Sequence, residues 1–204
     1  LPNGGTDAIG FRSIGEKTRA PETGTDNIAD FSAWAVWKRD AASGDYVPDF
    51  MNGVKVDRSG DDWMYAPHRY WPLGGAVDFF GYSPAGSVGV SSFVVGGAAY
   101  NKVSIQYSAT TDQQMQEDFL VASALDKTAN PVLMNFRHAL SQIEFRARST
   151  AQGVTFRIRN IELRNLDRAG TFTGTVATPG DGEMQWSWSD NTSPIEKTET
   201  YPLY

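Results

Sequence analysis

The sequence predicts an all-β fold assembled from many short strands, and three observations carry that expectation. Apolar residues recur at every second position in several separate runs, the period of a strand with one buried face. Aromatic residues make up 12% of the chain, and 20 glycines and 10 prolines punctuate it, a composition suited to strands broken by turns. No segment sustains a helical period beyond about three turns, so helix is a minor component. At 204 residues the chain is long enough for one large domain, or one domain and part of a second, with a sizeable core.

Residues 1–30 are polar and rich in turn formers, interrupted by IGFRSI at 9–14. This is a candidate strand whose apolar side chains are Ile9, Phe11 and Ile14. The following EKTRAPETGTDN, 16–27, reads as an exposed linker. Within it Arg19 precedes Ala20 and Pro21, a bond open to a trypsin-like protease. Composition alone equally allows a disordered leader with no role. FSAWAVWKR, 31–39, places Phe31, Ala33, Ala35 and Trp37 on one face and Trp34 and Val36 on the other. A run that is apolar on both faces belongs at the centre of a sheet. Residues 46–56 form a second extended segment, closed by a turn at 57–62.

Residues 63–84 are the most aromatic part of the chain. Trp63 and Tyr65 share a strand face, Pro67 and Pro72 break the backbone, and Gly74-Gly75 turns it into a strand at 77–82. The first reading is a packed corner, because each buried aromatic removes roughly 150 to 250 Å² from water. The alternative is a carbohydrate-stacking platform made of Trp63, Tyr65, Tyr70 and Trp71. Residues 88–99 read as a loop running outward. Residues 102–107 alternate with Val103, Ile105 and Tyr107 inward. Glu117 and Asp118 precede an apolar strand at 119–122. Lacking further carboxylates at a fixed spacing, they read as a solvated turn rather than a cation site.

In VLMNFRHALSQIEFRAR, 132–148, two strand-like runs flank an elbow at 138–141 that holds good helix formers and no glycine or proline. A single helical turn is expected there, making Phe136, Leu140, Ile143 and Phe145 core residues. In the second run Ile143, Phe145 and Ala147 face inward, and Ile143→Asp is expected to unfold the domain. VTFRIRNIELRNL, 154–166, alternates until its parity flips at Asn160-Ile161, the mark of a bulge. Residues 170–176 and 185–188 are further strands, and 190–204 is turn-rich without one.

A net charge of -6 and the lack of a dense basic patch exclude nucleic acid as a partner. The absence of cysteine removes disulfides, thiolate metal sites and a cysteine nucleophile. No apolar run approaches the roughly 18 residues of a membrane span. His68 and His138 are the two imidazoles, and GxSxG, HExxH, P-loop and GxGxxG motifs are all missing. Each histidine reads as a polar group hydrogen bonded in a turn. No catalytic residue, metal or cofactor is assigned. A glycoside hydrolase with paired carboxylates is the weakest alternative, because nothing in the sequence shows such a pair.

Four motifs recur in a recognisable order. They are W-x-Y-x-P-x-x-Y-W-P (Trp63, Tyr65, Pro67, Tyr70, Trp71, Pro72), V-D-F-F-x-Y-S-P from Val77, Q-E-D-F-L-V-A from Gln116, and F-R-H-A-L-S-Q-I-E-F from Phe136. Together with the leader IGFRSIGEKTRA they resemble the fimbrillin-like proteins of Bacteroides-type bacteria over roughly residues 9 to 190.

The resemblance implies a transthyretin-like (immunoglobulin-like) β-sandwich with one or two short helical turns. It also implies a fimbrial subunit, tip or anchor protein, exported as a lipoprotein to the outer membrane and cell-surface fimbria. By this resemblance a protease cuts after Arg19, before Ala20, and releases the strand bearing Ile9, Phe11 and Ile14. The groove left behind accepts a strand from another subunit. Host protein or glycan is a further expected partner, and contact with membrane is expected only through a lipid anchor. The lipidated cysteine is missing here, consistent with a trimmed N-terminus. The expected organisation is a leader at 1–30, a sandwich domain at 31–190, and a tail at 191–204 leading to a second domain.

Overall fold

The computed structural model describes residues 7–15, 28–110, 112, 115–141, 143, 145–150, 153, 157–159, 161–164, 167–176, 184–189 and 200–202. These contain the strands β1 (Phe11–Gly15), β2 (Asp30–Asp40), β3 (Asp45–Ser59), β4 (Asp62–Met64), β5 (Ala76–Ser83), β6 (Val90–Gly96) and β7 (Lys102–Ser108). They continue with β8 (Leu120–Lys127), β9 (Val132–His138), β10 (Glu162–Arg164), β11 (Ala169–Thr175), β12 (Gln185–Ser189) and β13 (Thr200–Pro202). The strands form a seven-stranded sheet ordered β1-β9-β8-β5-β2-β3-β4, a four-stranded sheet ordered β12-β11-β7-β6, and the pair β10-β13.

Strand β2 lies inside the large sheet, between β3 and β5, because its alternation leaves no polar face for water. Phe31, Ala33 and Ala35 join Met51, Val77, Phe79, Ala122 and Met134 in one buried cluster. Val36 faces the other way, into a second cluster with Phe80, Ile105, Phe119 and Phe172. The four-stranded sheet covers this second face: Trp34 stacks on Phe93 of β6 at 3.8 Å, and Tyr107 of β7 stacks on Phe119 at 4.5 Å. Two sheets packed through interlocking aromatics make the β-sandwich that the resemblance implies. Strand β5 approaches β2 so closely that a Cβ at Gly81 would stand 2.7 Å from the Ser32 carbonyl oxygen.

The large sheet bends until its two ends meet. After β4 the chain runs through 65–71, where Ile9 N–H donates to Arg69 O at 2.8 Å and Trp71 N–H donates to Asp7 O at 3.1 Å. On its other side β1 pairs in parallel with β9, from Phe11 opposite Val132 to Gly15 opposite Phe136. Residues 7–15 therefore close the seam between the ends of the sheet. Closure of this kind satisfies edge amides that would otherwise face another chain.

The elbow and the run after it depart from expectation. Among the described residues there is no helix at 138–141: His138 ends β9, and Ala139 N–H donates to Phe119 O at 2.9 Å. A tight i→i−3 bond occurs instead between Met115 N–H and Asp112 O, at 3.0 Å. Phe136 is buried and Leu140 half-buried, but Ile143 and Phe145 are 53% and 47% exposed, and neither belongs to a strand. Both sides of β9 are taken, by β8 and β1, so the alternating pattern at 142–148 has no ladder beside β9 to join.

Residues 88–99 also differ, since Val90–Gly96 is an edge strand on β7 rather than a loop. Its glycines and serines hide a strand held by the partial burial of Val90, Phe93 and Val95. Of the 154–166 run, 154–156, 160 and 165–166 lie outside the described residues. Ile158 is exposed, and β10 pairs with β13, a short strand in the tail where none was expected.

Candidate functional site

The closing segment is the part of the molecule that the family resemblance marks for exchange, and its packing is unequal along its length. Ile9 and Phe11 point inward at 2% and 5% exposure, while Arg12 of β1 is exposed. The Phe11 ring meets Phe31, Tyr65 and Phe79 edge to face, with centroids 5.5, 5.6 and 5.6 Å away. Edge-to-face contacts of this kind each add about 0.5 to 1.5 kcal/mol beyond area burial. Ile14 takes the ladder position opposite Asn135. The proposed cleavage residues, Arg19 and Ala20, lie outside the described residues.

The four aromatics considered as a glycan platform do not form an exposed row. Tyr65 and Trp71 are each only 7% exposed, Trp63 packs half-buried over Phe31 at 5.1 Å, and Tyr70 alone of the four is open to solvent. A stacking platform presents ring faces to water, and two of these rings are core instead. Tyr65 lines the Phe11 pocket, and Trp71 Nε1 donates to Asn130 Oδ1 at 2.9 Å. Burial pushes the Tyr65 hydroxyl above its ordinary range. That hydroxyl lies 3.0 Å from the Ile9 carbonyl oxygen and accepts from Arg69 N–H at 3.2 Å.

Elsewhere polar groups are engaged with the protein. His138 Nδ1 lies 2.7 Å from Asp118 Oδ1, and His68 rests edge-on against Tyr65 at 5.4 Å. Glu117 bonds to the Ser87 hydroxyl and accepts from Val88 N–H at 3.4 Å. Among the described residues no three His, Cys, Asp or Glu side chains are arranged to hold a metal ion. A cavity of about 320 Å³ opens between the sheets where Val121, His138, Ala139, Phe172, Trp186 and Trp188 meet.

Sequence reasoning found Ile9 and Phe11 but missed Asn130, which bonds to the backbone of Ala8 and Gly10 beside them, and Tyr65, which bonds to Ile9 O. Asn130 stands before Pro131 in a turn-like context, and nothing in a single sequence distinguishes it from a turn former.

The model of the fimbrillin-like family matches residues 18–204. The chain belongs to the fimbrillin-like family. No curated protein matches it. A fimbrial protein from Bacteroides vulgatus, known from its crystal structure, aligns at 19% identity with a TM-score of 0.46. The alignment covers 64% of this chain and 45% of that one. Family membership carries the fimbrial, cell-surface character that the sequence motifs imply.

Proposed function

We propose that this fimbrillin-like protein is a structural subunit, or a tip or anchor component, of a surface fimbria that assembles by exchange of its first strand. The observation that carries the reading is the placement of β1. It is a five-residue parallel strand at the end of the large sheet, and its Phe11 side chain fills a pocket lined by core aromatics. Removal of residues 7–15 leaves the β9 edge unpaired and the Phe11 pocket empty, a template for a strand from another subunit. Cleavage after Arg19 is the step that frees it, with 1–30 acting as leader and 31–190 as the sandwich body. A transthyretin-like topology, a lipid anchor in the outer membrane and a role in host adhesion complete the reading.

The test uses the exported full-length protein treated with a trypsin-like protease and followed on a gel. Wild type gives a ladder of oligomers, and Arg19→Ala gives none. No ladder from wild type, or the same ladder from Arg19→Ala, sinks the strand-release reading.

A further inference from the structure

One side chain holds the closing segment by its main chain. Asn130 Oδ1 accepts from Gly10 N–H at 2.7 Å, and Asn130 Nδ2 donates to the Ala8 carbonyl oxygen at 2.7 Å. In a parallel ladder a residue donates to the carbonyl before its opposite number and accepts from the amide after it. Val132 N–H bonds to Gly10 O in this way, as the residue opposite Phe11. Counting back two places, position 130 falls opposite Ile9. The planar amide of Asn130 thus continues the ladder beyond the start of β9, with a side chain standing in for a strand residue.

The orientation of that amide is fixed. Trp71 Nε1 donates at 2.9 Å to the same oxygen, so turning the amide over would set its NH2 against two donors and its oxygen against the Ala8 carbonyl. The bonds therefore match a strand running parallel to β9. Gly10, which lies between Ile9 and Phe11, leaves room for a first side-chain atom, because a Cβ there would stand 3.7 Å from Asn130 Oδ1, an ordinary contact. Selectivity resides in the two flanking pockets, filled here by Ile9 and Phe11.

We propose that Asn130 is the latch of this slot, and that the slot takes from another subunit a strand parallel to β9 with a large aliphatic side chain followed two residues later by an aromatic one. The latch is a property of the intact chain, whereas the choice of incoming strand rests on the strand-release reading above. Loss of two hydrogen bonds to the segment raises the opening equilibrium by roughly fivefold to a hundredfold.

Two measurements test the proposal. In the full chain, hydrogen exchange at the Gly10 amide is followed by NMR. Asn130→Ala speeds it roughly tenfold, Trp71→Phe speeds it less, and the Ala33 amide in β2 is unchanged in both. Equal Gly10 rates in wild type and both variants overturn the latch. In the second, a site for a sequence-specific protease is placed between residues 15 and 28 of the full chain and cut. Fluorescent peptides are then added: residues 7–15, the same peptide with Phe11→Ala, and the same residues in reversed order. The first enters the slot and the other two bind at least about tenfold more weakly. Equal entry of either control overturns the selection of strand and direction. Faster Gly10 exchange in Asn130→Ala, with no peptide entering the cut chain, upholds the latch and overturns the strand-release reading.

Discussion

Lys38 sits between two carboxylates that differ in their access to water. Its ammonium is 2.9 Å from Asp78 Oδ1 and also bonds to Asp126, whose own N–H donates to Asp78 Oδ1 at 2.7 Å. The Asp78 side chain is 7% exposed and that of Asp126 is 53% exposed. Burial alone would pull the Lys38 pKa down, but its bonds to Asp126 and Asp78 outweigh this and raise it above the ordinary value. Burial likewise pushes Asp78 up, against the Asp126 N–H and the Lys38 ammonium, which both favour its charged form. Removing one partner of such a pair is costly even where the pair itself contributes little: Lys38→Ala is expected to cost about 3 kcal/mol by urea unfolding. Tyr107, pushed up to about 12 mainly by burial and then by Glu117 and Asp118, adds a pH dependence of the same sign as Lys38. A raised folded pKa gives stability that is complete below the unfolded value and lost as pH rises through the folded one. Stability measured in urea should therefore fall from pH 10 to pH 12, and fall less steeply in Tyr107→Phe. An equal slope in that variant would assign the whole effect to Lys38 and other groups.

Among the elements, β1 and the run at 142–148 exchange the importance that their sequences suggest. Phe11→Ala empties a pocket among Phe31, Tyr65 and Phe79 and is expected to cost about 3 kcal/mol. Ile143→Asp changes an exposed side chain and should shift stability by no more than about 0.5 kcal/mol, contrary to what alternation alone suggests. Thermal melts of the two variants side by side decide between these assignments. Strands β2, β5, β7 and β8 were legible because their patterns are strong and their ladders are the interior of a sheet. Residues 142–148 carry an equally clean pattern, but a period of two reports that a segment can be a strand and not which neighbour is left for it. The reverse holds for β6, where Gly and Ser weaken the local signal while Val90, Phe93 and Val95 find partners across the sandwich. The slot around Ile9 was legible in its apolar half only. Its polar half depends on Asn130 and Tyr65, which lie about 120 and 56 positions away in sequence.

At the scale of the whole molecule, the large sheet is buried on both faces by separate clusters. Ile9 and Phe11 belong to the first, whereas Phe80, Ile105, Phe119 and Phe172 of the second lie across the sheet from them. After cutting at the linker and removal of the leader, the body is therefore expected to keep a cooperative melt at a lower Tm, with its strand circular dichroism retained. Loss of the transition would show that the first cluster cannot stand without its closing segment. The parallel run of β1 along β9 has a mechanical side as well. Tension applied along the segment bears on all five paired positions of the ladder together, in shear, so they yield as one unit instead of unzipping in turn. The closing segment is thus aligned to resist being pulled out lengthwise.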